Sequence, residues 1–391
     1  MKKKVHYTAL SLACLLAAAV PVQALAATVD SPRFSRSEEA WARLEDNKLE
    51  YDEIADLIHE YNVTVINNRT SYRDYLGDTP SDVAQRYRDA AAELRDSIEF
   101  PTDPTEISYA TMIMAAQTSE TMAKNLEKQA DNNVDDSRSI YMQYEQVEAN
   151  LVLNTKLNRI AYEQKLLTGQ LERENRTLLE AQYQSAQVQA SVGNATQMDV
   201  LNAKQAMEQL DSTIISNDRE AQTLRQKVAL ATGWNYAGNP EFGALPTIDP
   251  AATDQIDLEA DKAKALESNY TLKINRRKLE NSTDGATQEN LGKTIYDNQQ
   301  KIVSDVQTKY QSLLTARASY ELAIAEQAIE AQKLAAAALR FRTGTASRLE
   351  YQQATYTKQE KDTAVETARL SFLTAWETYQ AAVEGLASAD A

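Results

Sequence analysis

Two short stretches of this chain set a glycine, a hydroxyl and a carboxylate at one spacing. Residues 189–204 read Q-A-S-V-G-N-A-T-Q-M-D-V-L-N-A-K, and residues 340–355 read R-F-R-T-G-T-A-S-R-L-E-Y-Q-Q-A-T. Gly193, Ala195, Thr196, Met198, Asp199 and Ala203 thus recur 151 positions later as Gly344, Ala346, Ser347, Leu349, Glu350 and Ala354. The chemistry on offer is conformational. A glycine tolerates positive φ, a hydroxyl caps orphan backbone N–H groups, and an acid in the first turns faces the positive end of the helix dipole. Each copy therefore reads as a turn followed by a helix start, and two copies imply two equivalent hairpins.

Residues suited to covalent or metal chemistry are few. Cys14 is the only cysteine, and it sits in the amino-terminal apolar run. Beyond that run the chain has one histidine, His59, in L-I-H-E-Y. Any metal site would need oxygen ligands alone. The acidic run Asp131-Asn132-Asn133-Val134-Asp135-Asp136 is the best candidate. It lacks the glycine and terminal glutamate of an EF-hand loop, so it reads as a solvated helix interruption. No G-x-S-x-G, Walker loop, dinucleotide fingerprint or H-E-x-x-H occurs. Neither catalysis nor a cofactor is expected.

The elements that must position the twin turns follow from composition. Lys2, Lys3 and Lys4, an apolar run over 9–20 and Ala24-Leu25-Ala26 form a secretory signal peptide spanning 1–26. Cys14 does not read as a lipoprotein anchor, because the apolar stretch continues past it. Loss of the three lysines with this leader takes the net charge from −16 to −19. So acidic an exported chain is a poor nucleic-acid binder. No later segment approaches the roughly 18 apolar residues of a membrane-spanning helix. Only 10 glycines and 8 prolines punctuate 391 residues rich in Ala, Gln, Glu, Lys, Leu and Arg, the mark of long helices.

Stretches free of Gly and Pro define four expected rods, at 105–168, 194–232, 293–343 and 345–384. In the third, Val306, Leu313, Tyr320, Leu334 and Phe341 fall at multiples of seven, flanked by Ile302, Ala316 and Ala323. That is a coiled-coil seam with small residues that permit close packing. Ala231-Thr232-Gly233 and Val383-Glu384-Gly385 are matching helix stops, 152 apart. Matching openings stand at Asn62-Val63-Thr64 with Asn68-Arg69 and at Asn269-Tyr270-Thr271 with Asn275-Arg276, 207 apart. The halves are therefore a first helical repeat over 27–240 and a second over 257–391, joined by a Gly/Pro-rich linker at 241–256.

The first repeat carries 56 extra residues between its opening and its turn, roughly within 70–135. Val83, Tyr87, Ala91, Leu94 and Ile98 recur there at helical spacing behind the start signal Thr79-Pro80-Ser81-Asp82. A second helix is expected to start at Asp103-Pro104 and run through Ile107, Met114, Met122 and Leu126. Nothing there alternates with the period of two that a membrane strand needs. The expected fold is all-α, with long antiparallel coiled-coil hairpins in two structural repeats and little or no β-strand.

Val192-Gly193 through Ala203 and Thr343-Gly344 through Ala354, with long helices on both sides and an asparagine mark opening each repeat, resemble the TolC-type outer-membrane efflux family. The resemblance covers about 45–385. It implies a protomer of a hollow α-barrel and a homotrimer. It also implies a passive channel in an efflux or secretion system, docked to a membrane-fusion-type adaptor and an ABC-type or other inner-membrane pump. On this resemblance Val192, Gly193, Asn194, Ala195, Thr196 and Thr343, Gly344, Thr345, Ala346, Ser347 form the adaptor-docking turns. Asp199 and Glu350 are candidate entrance acids, with dipole complementation as the competing role. The family implies an outer-membrane address in the cell envelope through strand hairpins inserted in each repeat. This chain has helical sequence at one such site and only Asn281-Ser282-Thr283-Asp284-Gly285 at the other. A coiled-coil structural or adhesive spacer of the envelope is the alternative that those missing strands leave open.

Overall fold

The computed structural model describes residues 36–98, 109–234 and 238–389. The leader 1–26, the Asp103-Pro104 helix start and Ile107 lie outside the described residues. The described chain is all-α. Its strands are β1 (Lys48–Leu49) and β2 (Glu241–Phe242), which pair in parallel. The helices are α1 (Glu38–Leu44), α2 (Ile54–Tyr61), α3 (Val63–Tyr75), α4 (Pro80–Asp96), α5 (Tyr109–Asp131) and α6 (Ser137–Ser191). They continue as α7 (Gln197–Ala231), α8 (Leu258–Ser268), α9 (Tyr270–Asn281), α10 (Gly285–Arg342) and α11 (Arg348–Ala381). At 1.5 Å per residue, the 55 residues of α6 and the 58 of α10 each reach about 80–90 Å.

The rod expected at 105–168 is two helices. α5 stops at Asp131, and α6 starts at Ser137 and runs through Gly169 without a break. Gly285 opens α10 and Gly292 lies within it, so Gly292 is tolerated rather than terminating.

The described chain divides into two compact units. One comprises 66–146 and 270–299. Here α4 and α5 pack largely on alanines: Ala116, Ala123 and Ala130 are buried at heptad spacing on α5, and Val83, Ala84 and Ala91 are buried on α4. Met114 and Met122, the large residues of the expected pattern, are exposed. Arg95 bridges the two helices to Glu120 at 3.0 Å and to Glu127.

The other unit comprises 36–65, 147–269 and 300–389. Its core gathers Trp41, Leu44, Leu49, Tyr51, Ile54, Leu57, Ile58 and Val65 with Ile160, Val228, Leu370 and Leu373. The Gly/Pro-rich connection is strapped down by arginines. Arg159 donates to the Gly243 carbonyl at 2.8 Å, Arg225 to that of Pro240 at 2.7 Å and to Asn239 at 2.6 Å. Both guanidiniums lie over the Phe242 ring, at 5.0 and 4.7 Å.

Four long helices of this unit lie side by side. α7 runs antiparallel to α6 through Lys165–Glu220, Arg173–Asp218 and Arg176–Asp211 at 2.6, 2.6 and 3.1 Å. α6 meets α11 through Lys156–Glu377 at 2.9 Å. α11 runs antiparallel to α10 through Lys361–Glu326 at 2.7 Å and the stacked rings of Tyr320 and Phe372. The order is α7–α6–α11–α10. Among the described residues no ion pair or hydrogen bond joins α7 to α10, so these two are edges.

Candidate functional site

The two turns are built by the same bonds. In the first, Gly193 N–H donates to the Ala190 carbonyl at 3.2 Å and Asn194 N–H to that of Gln189 at 2.8 Å. In the second, Gly344 N–H donates to Phe341 at 3.1 Å and Thr345 N–H to Arg340 at 2.9 Å. This is the Schellman pattern that ends a helix, and it requires the left-handed backbone seen at Gly193 (φ 81°) and Gly344 (φ 73°). A Cβ at either glycine would meet no atom within 4 Å, so the requirement is conformational and not steric crowding.

Each turn then restarts a helix with a reciprocal capping box. Thr196 Oγ1 accepts from Asp199 N–H at 3.2 Å, while Asp199 Oδ2 accepts from Thr196 N–H at 2.8 Å and from Thr196 Oγ1 at 2.7 Å. Ser347 Oγ accepts from Glu350 N–H at 3.2 Å and Glu350 Oε2 from Ser347 N–H at 2.6 Å. The backbone N–H of Thr196 holds the Asp199 carboxyl below the ordinary carboxylate range, and that of Ser347 does the same for Glu350. Both carboxylates are exposed, with their inner oxygens committed to the cap. The S/T-x-x-D/E spacing carries this signal; a reading of the acids as dipole partners alone overlooks the reciprocal bond.

The turns are exposed along their length, apart from the half-buried Ala195 and Ala346. Val192 and Met198 expose 65 % and 63 % of their surface. Beside the second turn Phe341 stacks on Tyr351, with centroids 5.2 Å apart.

Above the turns, the expected seam of α10 is buried only in part. Ile302, Val306 and Leu313 are fully buried, Tyr320 and Leu334 are half-buried, and Phe341 is exposed. A second stripe on α10, formed by Leu322, Ile329 and Leu339, is exposed throughout. On α7, Met198, Leu201 and Ile215 are exposed in the same way. These stripes lie on the two edge helices, and their steps match. Leu339 precedes Gly344 by five residues, as Met198 follows Gly193 by five; Leu322 and Ile215 stand 22 residues from the same glycines.

The acidic run at 131–136 is a helix interruption, as expected, with Asp131 and Asn132 exposed to solvent and its far end closed off. Asp136 is buried and accepts from Arg277 Nε and Nη2 at 2.8 and 2.5 Å. Burial alone would raise its pKa; Arg277 and the Ser139 N–H pull it below the ordinary range. Asp135 pairs with Lys278 at 3.2 Å, and Asn281 donates to the Val134 carbonyl at 2.9 Å. α9 thus neutralises Asp135 and Asp136, while the exposed Asp131 pairs with Arg88 of α4 at 3.2 Å. His59 lies on α2 with Nδ1 2.8 Å from Glu148 Oε1, a surface pair.

No family model matches the sequence, and no curated protein does. Among solved structures the chain is similar to the Campylobacter jejuni CmeC outer membrane channel, with 10 % identity, a TM-score of 0.54, and coverage of 90 % of this chain and 88 % of that one. It also aligns with a membrane protein from Pseudomonas aeruginosa, at 13 % identity, TM-score 0.48 and coverage of 86 % and 90 %. The open Neisseria gonorrhoeae MtrE outer membrane channel aligns at 10 % identity, TM-score 0.46 and coverage of 87 % and 90 %. At such identities the likeness is one of fold. The chain thus resembles TolC-type channels in the arrangement of its long helices.

Proposed function

We propose that this protein is the conduit component of an export system in the cell envelope, a passive tube without catalysis of its own. Copies join edge to edge, α10 of one against α7 of the next, until a ring of three closes. The observation that carries this reading is the pair of unpartnered apolar stripes on the two edge helices, stepped alike from Gly193 and Gly344. A surface that fits a different surface of the next copy generates a ring when the rotation closes. Burying Leu322, Leu339, Met198 and Ile215 at such a joint contributes roughly 1.5–3 kcal/mol per side chain.

The turns at 192–196 and 343–347 are the docking points for a membrane-fusion-type adaptor, which links the tube to an inner-membrane pump. Their Schellman and capping bonds use the local backbone groups, so the exposed Val192 remains for the partner. Asp199 and Glu350 bring negative charge to the same rim while serving the caps.

A spacer reading draws on one observation. The described strands are two residues long, and no described helix is long and apolar enough to cross a membrane. Light scattering on the protein without residues 1–26 separates the readings: a trimer that takes up an adaptor hairpin supports the conduit, and a monomer at all concentrations overturns it.

A further inference from the structure

Midway along the α6–α7 pair lie five charged side chains that make two ion pairs. Lys165 holds Glu220 and Arg173 holds Asp218, each at 2.6 Å. Glu172 is left over. Its Oε2 is buried and, among the described residues, has no hydrogen-bond partner. A buried carboxylate oxygen without a donor is costly.

The same place holds a polar lock. Asn217 is 5 % exposed and donates from Nδ2 to the Lys165 carbonyl at 2.8 Å. Gly169 makes room for it: a Cβ there would meet Asn217 Nδ2 at 2.8 Å. The second hairpin has no counterpart. At the offset of 151 the positions of Gly169, Glu172 and Asn217 are held by Tyr320, Ala323 and Ala368.

We propose that Glu172 makes the first hairpin alone responsive to pH. As a neutral acid its carboxyl stays in the buried position beside the Asn217 lock; ionised, it leaves for solvent and loosens α6 from α7 there. The groups facing it are Lys165 and Arg173 on α6 and Asp218 and Glu220 on α7. Burial pushes the carboxyl above the ordinary glutamate range; Asp218 and Glu220 add to this, and Lys165 and Arg173 oppose it. For a raised acid, the stability tied to the neutral form is complete below the ordinary glutamate range and is lost as pH rises through the folded value. The inference concerns the hairpin itself and holds whether or not the conduit reading does.

Hydrogen exchange on the protein without residues 1–26, corrected for the intrinsic rate, tests it at pH 4 and pH 8. The wild type should lose protection at pH 8 in residues 165–176 and 211–220 while α10 and α11 keep theirs, and Glu172→Gln should erase that difference. Melting gives a second readout: the gain of Glu172→Gln over wild type should grow from pH 4 to pH 8. Wild-type protection that does not change with pH overturns the proposal even if the variant fails to fold. So does a Glu172→Gln protein with the wild-type pH response.

Discussion

Asn62 and Ala231, 169 positions apart, are joined by a 2.7 Å hydrogen bond from the asparagine Nδ2 to the alanine carbonyl. The opening of the first repeat is thereby fastened to its close. Asn62 Oδ1 meanwhile accepts from Thr64 N–H at 2.9 Å and starts α3. The second repeat makes the same closure: Asn269 Nδ2 donates to the carbonyls of Gly385 and Ala387 at 3.2 and 2.9 Å. In the first repeat the stop glycine also abuts the opening, since a Cβ on Gly233 would meet the Tyr61 Cβ at 2.2 Å. The marks spaced by 207 and the stops spaced by 152 are thus two halves of one latch, made twice.

Asn269→Ala should destabilise the fold by about 1–3 kcal/mol, because carbonyls buried with it lose their donor. Asn62→Ala should act similarly. Urea denaturation followed by circular dichroism reads both, and an unchanged midpoint would remove the latch from the account.

Gly193→Ala and Gly344→Ala should each cost about 1 kcal/mol or more through the left-handed backbone, with no steric term. The loss should be confined to the hairpin ends. Hydrogen exchange should show faster amides within two helical turns of the substituted glycine and unchanged amides around Ile160 and Leu370.

Asp136→Ala removes one partner of a buried pair and should cost roughly 3 kcal/mol. Because the Asp136 pKa is lowered, its contribution is present above the ordinary aspartate range and is lost as pH falls through the folded value. Below about pH 4, Asp136→Asn should therefore lose less stability on further acidification than the wild type does. Parallel acid limbs for the two proteins would contradict the assignment.

The hairpins are legible in the sequence because turn chemistry is local. Gly193, Thr196 and Asp199 each act within a few residues, so type and spacing suffice. Asn62 and Asn269 could be marked as openings, but their partners 169 and 116 positions away could not be read. The same holds for Asp136 and Arg277, whose pairing makes the end of the acidic run a neutralised joint. Alanine misled for another reason. On α5 the eye follows Met114 and Met122, yet Ala116, Ala123 and Ala130 are the buried seam, since close helix packing favours the small side chain. The core around Trp41, Ile54, Leu57 and Ile58 rests on helices of seven and eight residues, too short for periodicity to declare itself.

Edge-to-edge closure is most directly tested by disulfide cross-linking. Cys14 is the only cysteine of the chain and lies in the expected leader, so a protein without residues 1–26 carrying Met198→Cys and Leu339→Cys has one designed pair. Oxidation should yield a ladder ending at a covalent trimer, reversed by reductant, and Ile215→Cys with Leu322→Cys should give the same ladder. A disulfide formed within one copy, or none at any protein concentration, would contradict the ring.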